Sequence, residues 1–275
     1  ESGTVPPPEN VYRTGWAELT VEAQNSDYYY AHHICPDFYV GSQKARNYTV
    51  CFSAEHHCPV WVAAPRHDCY NGSSGRSSYS RDPDIPSNLQ YSSTDTGGGC
   101  NKGHMLGSAE RTVTKATNKQ VFYYSNIAPQ FSSSFNTGGG AWNNLESFVD
   151  AQVCADTTYI VVGTYFEPFT DAYGKSCTSS KIDFGGRSDV SRPSMFYYLL
   201  LRTKNGNTKK SVMDCAASEL KCAAFVLRHN MDKGHKPQAK DMMSVAEIER
   251  LTGFTFFANV PNAPKDTYNP SDWGL

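Results

Sequence analysis

At 275 residues with a formal net charge of −2, the chain can form one large domain or two small ones, and it lacks the basic excess common among nucleic-acid binders. A composition of 39% hydrophobic, 13% aromatic and 19% charged residues excludes a fibrous or wholly disordered protein, and any grip on a polyanion must be local. No run of about 18 apolar residues occurs, so no membrane span is expected.

In chain order, residues 1–20 read as an extended tail. Three consecutive prolines stand near its start, and the polar residues 1–9 resemble the beginning of a processed chain. Strands are expected around residues 27–33, 48–52 and 60–64, where aromatic and β-branched residues concentrate. The histidines of the first, His32 and His33, read as ordinary surface residues of a strand. Residues 70–99 form a long loop rich in Gly, Ser, Asp, Asn and Pro, and loops of that length are often functional. It carries Arg76 and Arg81. Residues 105–119 read as partly helical and 120–124 as a strand. A one-sided apolar pattern at Trp142, Leu145, Phe148, Val149 and Val153 predicts a helix. Buried-type strands follow at 159–163, 194–201 and 222–227. A last helix spans 244–253, with Ser244 as N-cap, Glu247 at its third position and Gly253 as the stop. The strands and helices mix without strict βαβ alternation and without a Gly-rich phosphate loop. That predicts an α+β fold: a single domain over residues 21–262, a central mostly antiparallel sheet flanked by helices, and a polar tail over 263–275.

Nine cysteines are a high count for a reducing compartment: Cys35, Cys51, Cys58, Cys69, Cys100, Cys154, Cys177, Cys215 and Cys222. No CxxC pair occurs, so zinc is disfavoured and disulfides are expected, with at least one thiol left over. An exported protein follows: secreted, periplasmic or at the cell surface.

Candidate chemistry concentrates in residues 100–146, which hold a histidine, several amides, a cation and a carboxylate. Phosphodiester hydrolysis needs a deprotonated water, a neutralised phosphate and a stabilised leaving oxygen. Neutral His104 suits the first task near pH 7. A Mg²⁺ ion serves the other two, and it takes few protein ligands, all oxygen. Asn136 can offer its carboxamide oxygen, and Glu146 can hold a metal-bound water. With a helix from about residue 141, Trp142 and Glu146 share one face. Taken singly, each of these residues also has an ordinary structural use.

The ordered set Asn101-Lys102-Gly103-His104, Ser125-Asn126-Ile127-Ala128-Pro129-Gln130, Asn136, Trp142 and Glu146 resembles the DNA/RNA non-specific endonucleases of ββα-metal type. The likeness extends outward to Arg46-Asn47-Tyr48, to Pro59-Val60-Trp61-Val62-Ala63 and to Ile248 through Phe257, and so covers roughly residues 25–261. The resemblance implies a ββα-metal active-site motif and DNA and RNA as substrates. It implies His104 as general base and Asn136 as direct ligand of Mg²⁺, with Mn²⁺ or Ca²⁺ as possible substitutes. Glu146 would hold metal-bound water, Arg76 (with Arg81 as alternate) would assist at the phosphate, and Asn126 and Gln130 would shape the substrate site.

The chain departs from that pattern in four places. Asn101 stands where the family has Asp, and Lys102 replaces Arg and loses its bidentate fork. Two extra residues separate Asn136 from Trp142, and Asp150 stands where some members have an arginine. Asn101, Lys102 and the low net charge motivate an alternative: a catalytically weakened nuclease-like protein that binds nucleic acid without turnover. A second tetrapeptide, Asp232-Lys233-Gly234-His235, is nearer to the family signature than residues 101–104. No Ser-Asn…Pro-Gln, Asn, Trp, Glu series follows it, so it is read as a surface loop.

Overall fold

A computed structural model describes residues 15–275. The proline-rich start, residues 1–13, lies outside them. From Trp16 the chain is packed: Trp16, Ala17 and Glu18 are buried, and Glu18 receives the guanidinium of Arg46 through Nε at 2.5 Å.

Three long strands open the fold: β1 (Tyr28–Val40), β2 (Gln43–Ser53) and β3 (Cys58–Arg66). The short strands β4 (Cys100–His104) and β5 (Ile127–Phe131) form a separate pair, and helix α1 (Lys115–Val121) lies between them in sequence. Helix α2 (Ala141–Asp150) follows, then β6 (Thr158–Tyr165), β7 (Met195–Thr203), β8 (Leu220–Arg228), the two-residue β9 (Met242–Met243) and helix α3 (Val245–Thr252). Seven strands make one sheet in the order β1-β2-β3-β6-β7-β8-β9, and every pairing in it is antiparallel. The fold is α+β, as expected.

The near-continuous apolar runs of β3, β7 and β8 follow from burial on both faces. Side chains alternate across a strand. Phe196, Tyr198 and Leu200 of β7 enter one core with Val62, Ile160 and Val162. Tyr197, Leu199 and Leu201 enter the other with Trp61, Val161 and Val226. Gly163 belongs to this packing: a Cβ there would lie 1.8 Å from the ring of Tyr197, its partner in the register.

Helix α2 covers the first face. Trp142, Leu145 and Val149 recur at helical spacing, are all at most 1% exposed, and lie in that core with Phe122 and Phe135. Helix α3 covers the other face through Val245 and Ile248. Its ends match the sequence: the Ser244 hydroxyl accepts from the Glu247 N–H at 3.1 Å, and Gly253 takes the left-handed conformation at φ 78°.

Four further expectations change. His33 is not a surface residue: it is 3% exposed, with Nε2 2.7 Å from Asp82 Oδ2. Residues 120–124 are not a strand. Gln120 and Val121 end α1, whose start is capped by Thr114, and Tyr124 opens a 3₁₀ turn through Asn126. Their β-type composition reflects burial, since Val121 and Phe122 are at most 1% exposed. Residues 263–275 are not a free tail, because Trp273 is 2% exposed and its carbonyl accepts from Gln152 Nε2 at 3.2 Å. The cysteines form no disulfides. All nine are free thiols, and seven of them are buried. Cys51, Cys58 and Cys222 sit on core strands, and burial raises their thiols above the ordinary value. They act as small apolar packing groups, which a cysteine count does not separate from bridges.

Leu145→Ala should lower stability by about 2–5 kcal/mol, the range for a fully buried leucine, read from the urea midpoint.

Candidate active site

The site is built on the β4–β5 pair and α2, a ββα unit. The register sets Asn101 opposite Gln130, Gly103 opposite Ala128 and His104 opposite Ile127. The glycine of the tetrapeptide has a steric reason. A Cβ on Gly103 would lie 2.2 Å from the Gln130 side chain, which crosses that position. A cavity of about 320 Å³ opens here, and Arg76, Lys102, His104, Gln130, Asn136 and Glu146 all line it.

His104 lies edge-on to Phe122, with ring centroids 4.7 Å apart, and its Nε2 is buried without a hydrogen-bond partner among the described residues. Burial first, then the charge of Arg76, lower its pKa to about 3. The ring is therefore neutral at pH 7 and available as a proton acceptor. The Arg76 guanidinium lies 5.0 Å from the Phe122 ring centre, on the ring that also touches His104. Lys102 Nζ donates to the Thr94 carbonyl at 3.0 Å and lies over Tyr79.

Asn136 is held from two sides. Its Nδ2 donates to Gln130 Oε1 at 2.7 Å, and its backbone carbonyl accepts from Asn101 Nδ2 at 3.1 Å. The first bond uses the amide's nitrogen and leaves Oδ1 as the end open to the cavity. Gln130 is 1% exposed, and its own Nε2 is buried without a partner among the described residues. That donor can serve an anionic oxygen.

Glu146 sits one turn past Trp142. Burial, then the carboxylates of Glu110 and Asp150, push its carboxyl well above the ordinary range, and Arg66 opposes them. Arg66 ends β3 and binds Asp150 Oδ1 at 2.7 Å, with Glu110 Oε1 at 3.4 Å from its other nitrogen. Sequence reasoning missed Arg66 and Glu110. A charged residue closing an otherwise apolar strand was the available signal for Arg66.

The donor set fits a hard divalent cation. Asn136 Oδ1 and the Glu146 carboxylate are oxygen donors, and three crowded carboxylates with one guanidinium leave negative charge for a cation to relieve. A second group, His33, Asp82 and Asp84, has ligand atoms within 4.8 Å of one another. The Asp82 carboxylate at its centre is already engaged, however. Asp82 Oδ2 accepts from Ser125 Oγ at 2.5 Å and pairs with His33 Nε2 at 2.7 Å, while Oδ1 accepts from the Asp84 N–H at 2.9 Å. This group ties β1, the 70–99 loop and the Ser125-Asn126 turn together.

Two expected substrate contacts lie elsewhere. Arg81 does not line the cavity, and its Nε donates to the Tyr91 carbonyl at 3.4 Å. Asn126 is fully buried. Its Oδ1 accepts from the Leu106 N–H, and its Nδ2 donates to the Leu106 and Val121 carbonyls, so its amide fixes the chain that leaves β4. The tetrapeptide at 232–235 lies outside the cavity, where His235 Nε2 pairs with Asp241 at 2.8 Å.

A profile of the DNA/RNA non-specific endonucleases matches residues 36–263. The chain belongs to that family, whose members hydrolyse phosphodiester bonds. Among its relatives is bovine mitochondrial endonuclease G, 24% identical over 227 residues, or 80% of this chain and 71% of that protein. Human mitochondrial endonuclease G is 22% identical, over 78% and 68% of the two chains. The fission-yeast Schizosaccharomyces pombe has a similar protein, mitochondrial nuclease 1, at 24% identity over 66% of this chain and 53% of that one. The fold is shared with a chain of the EndoG/EndoGI crystal structure, at a TM-score of 0.62 and 20% identity over 90% of both chains. DNA and RNA fit as substrates, and among the described residues no helix is long and apolar enough to cross a membrane.

These findings correct the expected export. The curated relatives are mitochondrial nucleases rather than secreted ones, and the free thiols remove the disulfide premise on which export rested.

Asn101→Asp removes the donor to the Asn136 carbonyl and sets a carboxylate against it. Cleavage should fall by roughly 5- to 30-fold, corresponding to about 1–2 kcal/mol, in initial rates on plasmid DNA. An increase would contradict this use of the amide.

Proposed function

We propose that the protein is a metal-dependent, sugar-non-specific endonuclease that cleaves DNA and RNA with His104 as general base. One observation carries this reading. In a single cavity, a neutral histidine faces an Asn136 whose carboxamide oxygen is left open by the bond to Gln130, with Arg76, Lys102 and Glu146 on the walls.

Asn136 Oδ1 would hold Mg²⁺ directly and Glu146 would hold it through water. When bound, the ion supplies positive charge for the phosphate and the leaving oxygen. The chain's own residues do the remainder. His104 takes a proton from water, which attacks phosphorus in line and expels the 3′ oxygen, leaving a 5′-phosphate. Arg76 meets the phosphate, and the free Nε2–H of Gln130 donates to one of its oxygens. A bound phosphate also offsets the Arg76 charge that depresses His104, so the ring gains basicity when substrate arrives. The non-cleaving alternative drew on Asn101, Lys102 and the low net charge; the bond to the Asn136 carbonyl gives the first of these a use in a cleaving site and favours the enzyme.

His104→Ala should reduce cleavage of plasmid and of RNA by at least about 100-fold, and EDTA should abolish it in the wild type. Undiminished activity in the variant would sink the mechanism. The pH profile gives a separate check. A base active only when neutral fails below its pKa, so the acid limb of kcat/KM should lie below 6.5, the ordinary value from which His104 is lowered. Arg76→Ala removes the charge that, after burial, lowers His104, and should move that limb to higher pH. An acid limb that stays put would argue against His104 as the base.

A further inference from the structure

The Asp232-Lys233-Gly234-His235 loop is not a second catalytic site, yet it is fastened to the first. The Gly234 N–H donates to the Gly139 carbonyl at 2.8 Å, and Asn144 Nδ2 donates to the His235 carbonyl at 2.9 Å. Gly139 lies three residues beyond Asn136, and Asn143, the neighbour of Asn144, lines the active-site cavity. A third anchor holds the far side, where His235 Nε2 pairs with Asp241 at 2.8 Å and the same carboxylate accepts from the Gln238 N–H.

On this fixed loop Lys233 and Lys236 are exposed, and neither makes a hydrogen bond or an ion pair among the described residues. Lys240 is also exposed and lies 5.5 Å from the Tyr173 ring centre. The loop's one exposed carboxylate, Asp232, faces Lys175 at 3.5 Å. Two free cations therefore belong to a loop anchored at the N-terminal end of α2, in a chain whose net charge is −2. A polyanion gains little from such a protein as a whole and must be gripped locally.

We propose that the 232–236 loop is a second nucleic-acid contact, in which Lys233 and Lys236 bind backbone phosphates adjacent to the one being cleaved. The inference rests on the endonuclease reading above. Phosphates of one strand recur about every 3.4 Å of duplex axis, so a strand with one phosphate at Asn136 brings its neighbours to the loop within a few nucleotides. Contacts of this kind carry no base information, consistent with cleavage of little sequence preference.

The test is binding without turnover. A His104→Ala background in EDTA is titrated against a fluorescein-labelled 20-base-pair DNA by anisotropy, from 50 to 300 mM NaCl. Adding Lys233→Ala and Lys236→Ala together should weaken binding more than about fivefold at 50 mM salt. It should also reduce the slope of log K against log salt by about 1.8, or 0.9 per lost phosphate contact. The control pair Lys44→Ala and Lys204→Ala removes the same charge from exposed positions at the β1–β2 hairpin and the end of β7, and should leave the slope within about 0.5 of the parent. Equal slopes in the loop variant and its parent overturn the proposal and leave the endonuclease reading standing. Equal losses in the loop and control variants also overturn it, as an effect of net charge. A parent that binds no DNA at any salt overturns both.

Discussion

The bond from Asn136 Nδ2 to Gln130 Oε1 decides what the site can do. A carboxamide offers a donor at one end and an acceptor at the other. With its nitrogen committed to Gln130, Asn136 presents an oxygen to the cavity. Gln130 can reach because residue 103 has no side chain to obstruct it, and because the β4–β5 register brings Asn101 directly opposite. Asn101 then fastens the Asn136 backbone. Four residues from three separate stretches of sequence thus serve one atom. The substitution that seemed to weaken the motif supplies the donor that a carbonyl requires.

The electrostatics of the site follow from where the large sheet ends. Arg66 closes β3 behind the cavity, bound to the lining carboxylates Asp150 and Glu110, and its charge opposes the carboxylate crowding around Glu146. Helix α2 directs Glu146 and Asp150 to the cavity while Trp142, Leu145 and Val149 enter the core. The same helix therefore secures the core and presents the acidic wall. Across the cavity, His104 is kept neutral by its aromatic surroundings and by Arg76. Cations and carboxylates thus line one cavity, which suits a phosphate and a cation held together there.

The cysteines show how one composition can arise from two causes. Nine in 275 residues look like a disulfide framework, but most of them fill small apolar spaces on or beside the sheet. The core here is large enough to need no staples: the seven-stranded sheet is covered on both faces. The mitochondrial relatives and the buried thiols point the same way.

Sequence by itself determined the strong elements and pointed to most of the side chains that line the cavity. Alternating and continuous apolar runs marked β3, β6, β7 and β8, the spacing of Trp142, Leu145 and Val149 marked α2, and Ser244 with Gly253 bounded α3, because local periodicity and capping act within a few residues. The ordered motif from Asn101 to Glu146 named the principal side chains. Tertiary structure decided what no short window contains. It put Arg76 rather than Arg81 at the cavity and turned Asn126 inward to hold backbone. It brought Arg66 from β3 to Asp150, 84 residues away in sequence, and docked the 232–235 loop against Gly139. Each of these depends on a contact between distant segments, and the direction of a hydrogen bond or the partner of a buried charge exists only once those segments have met.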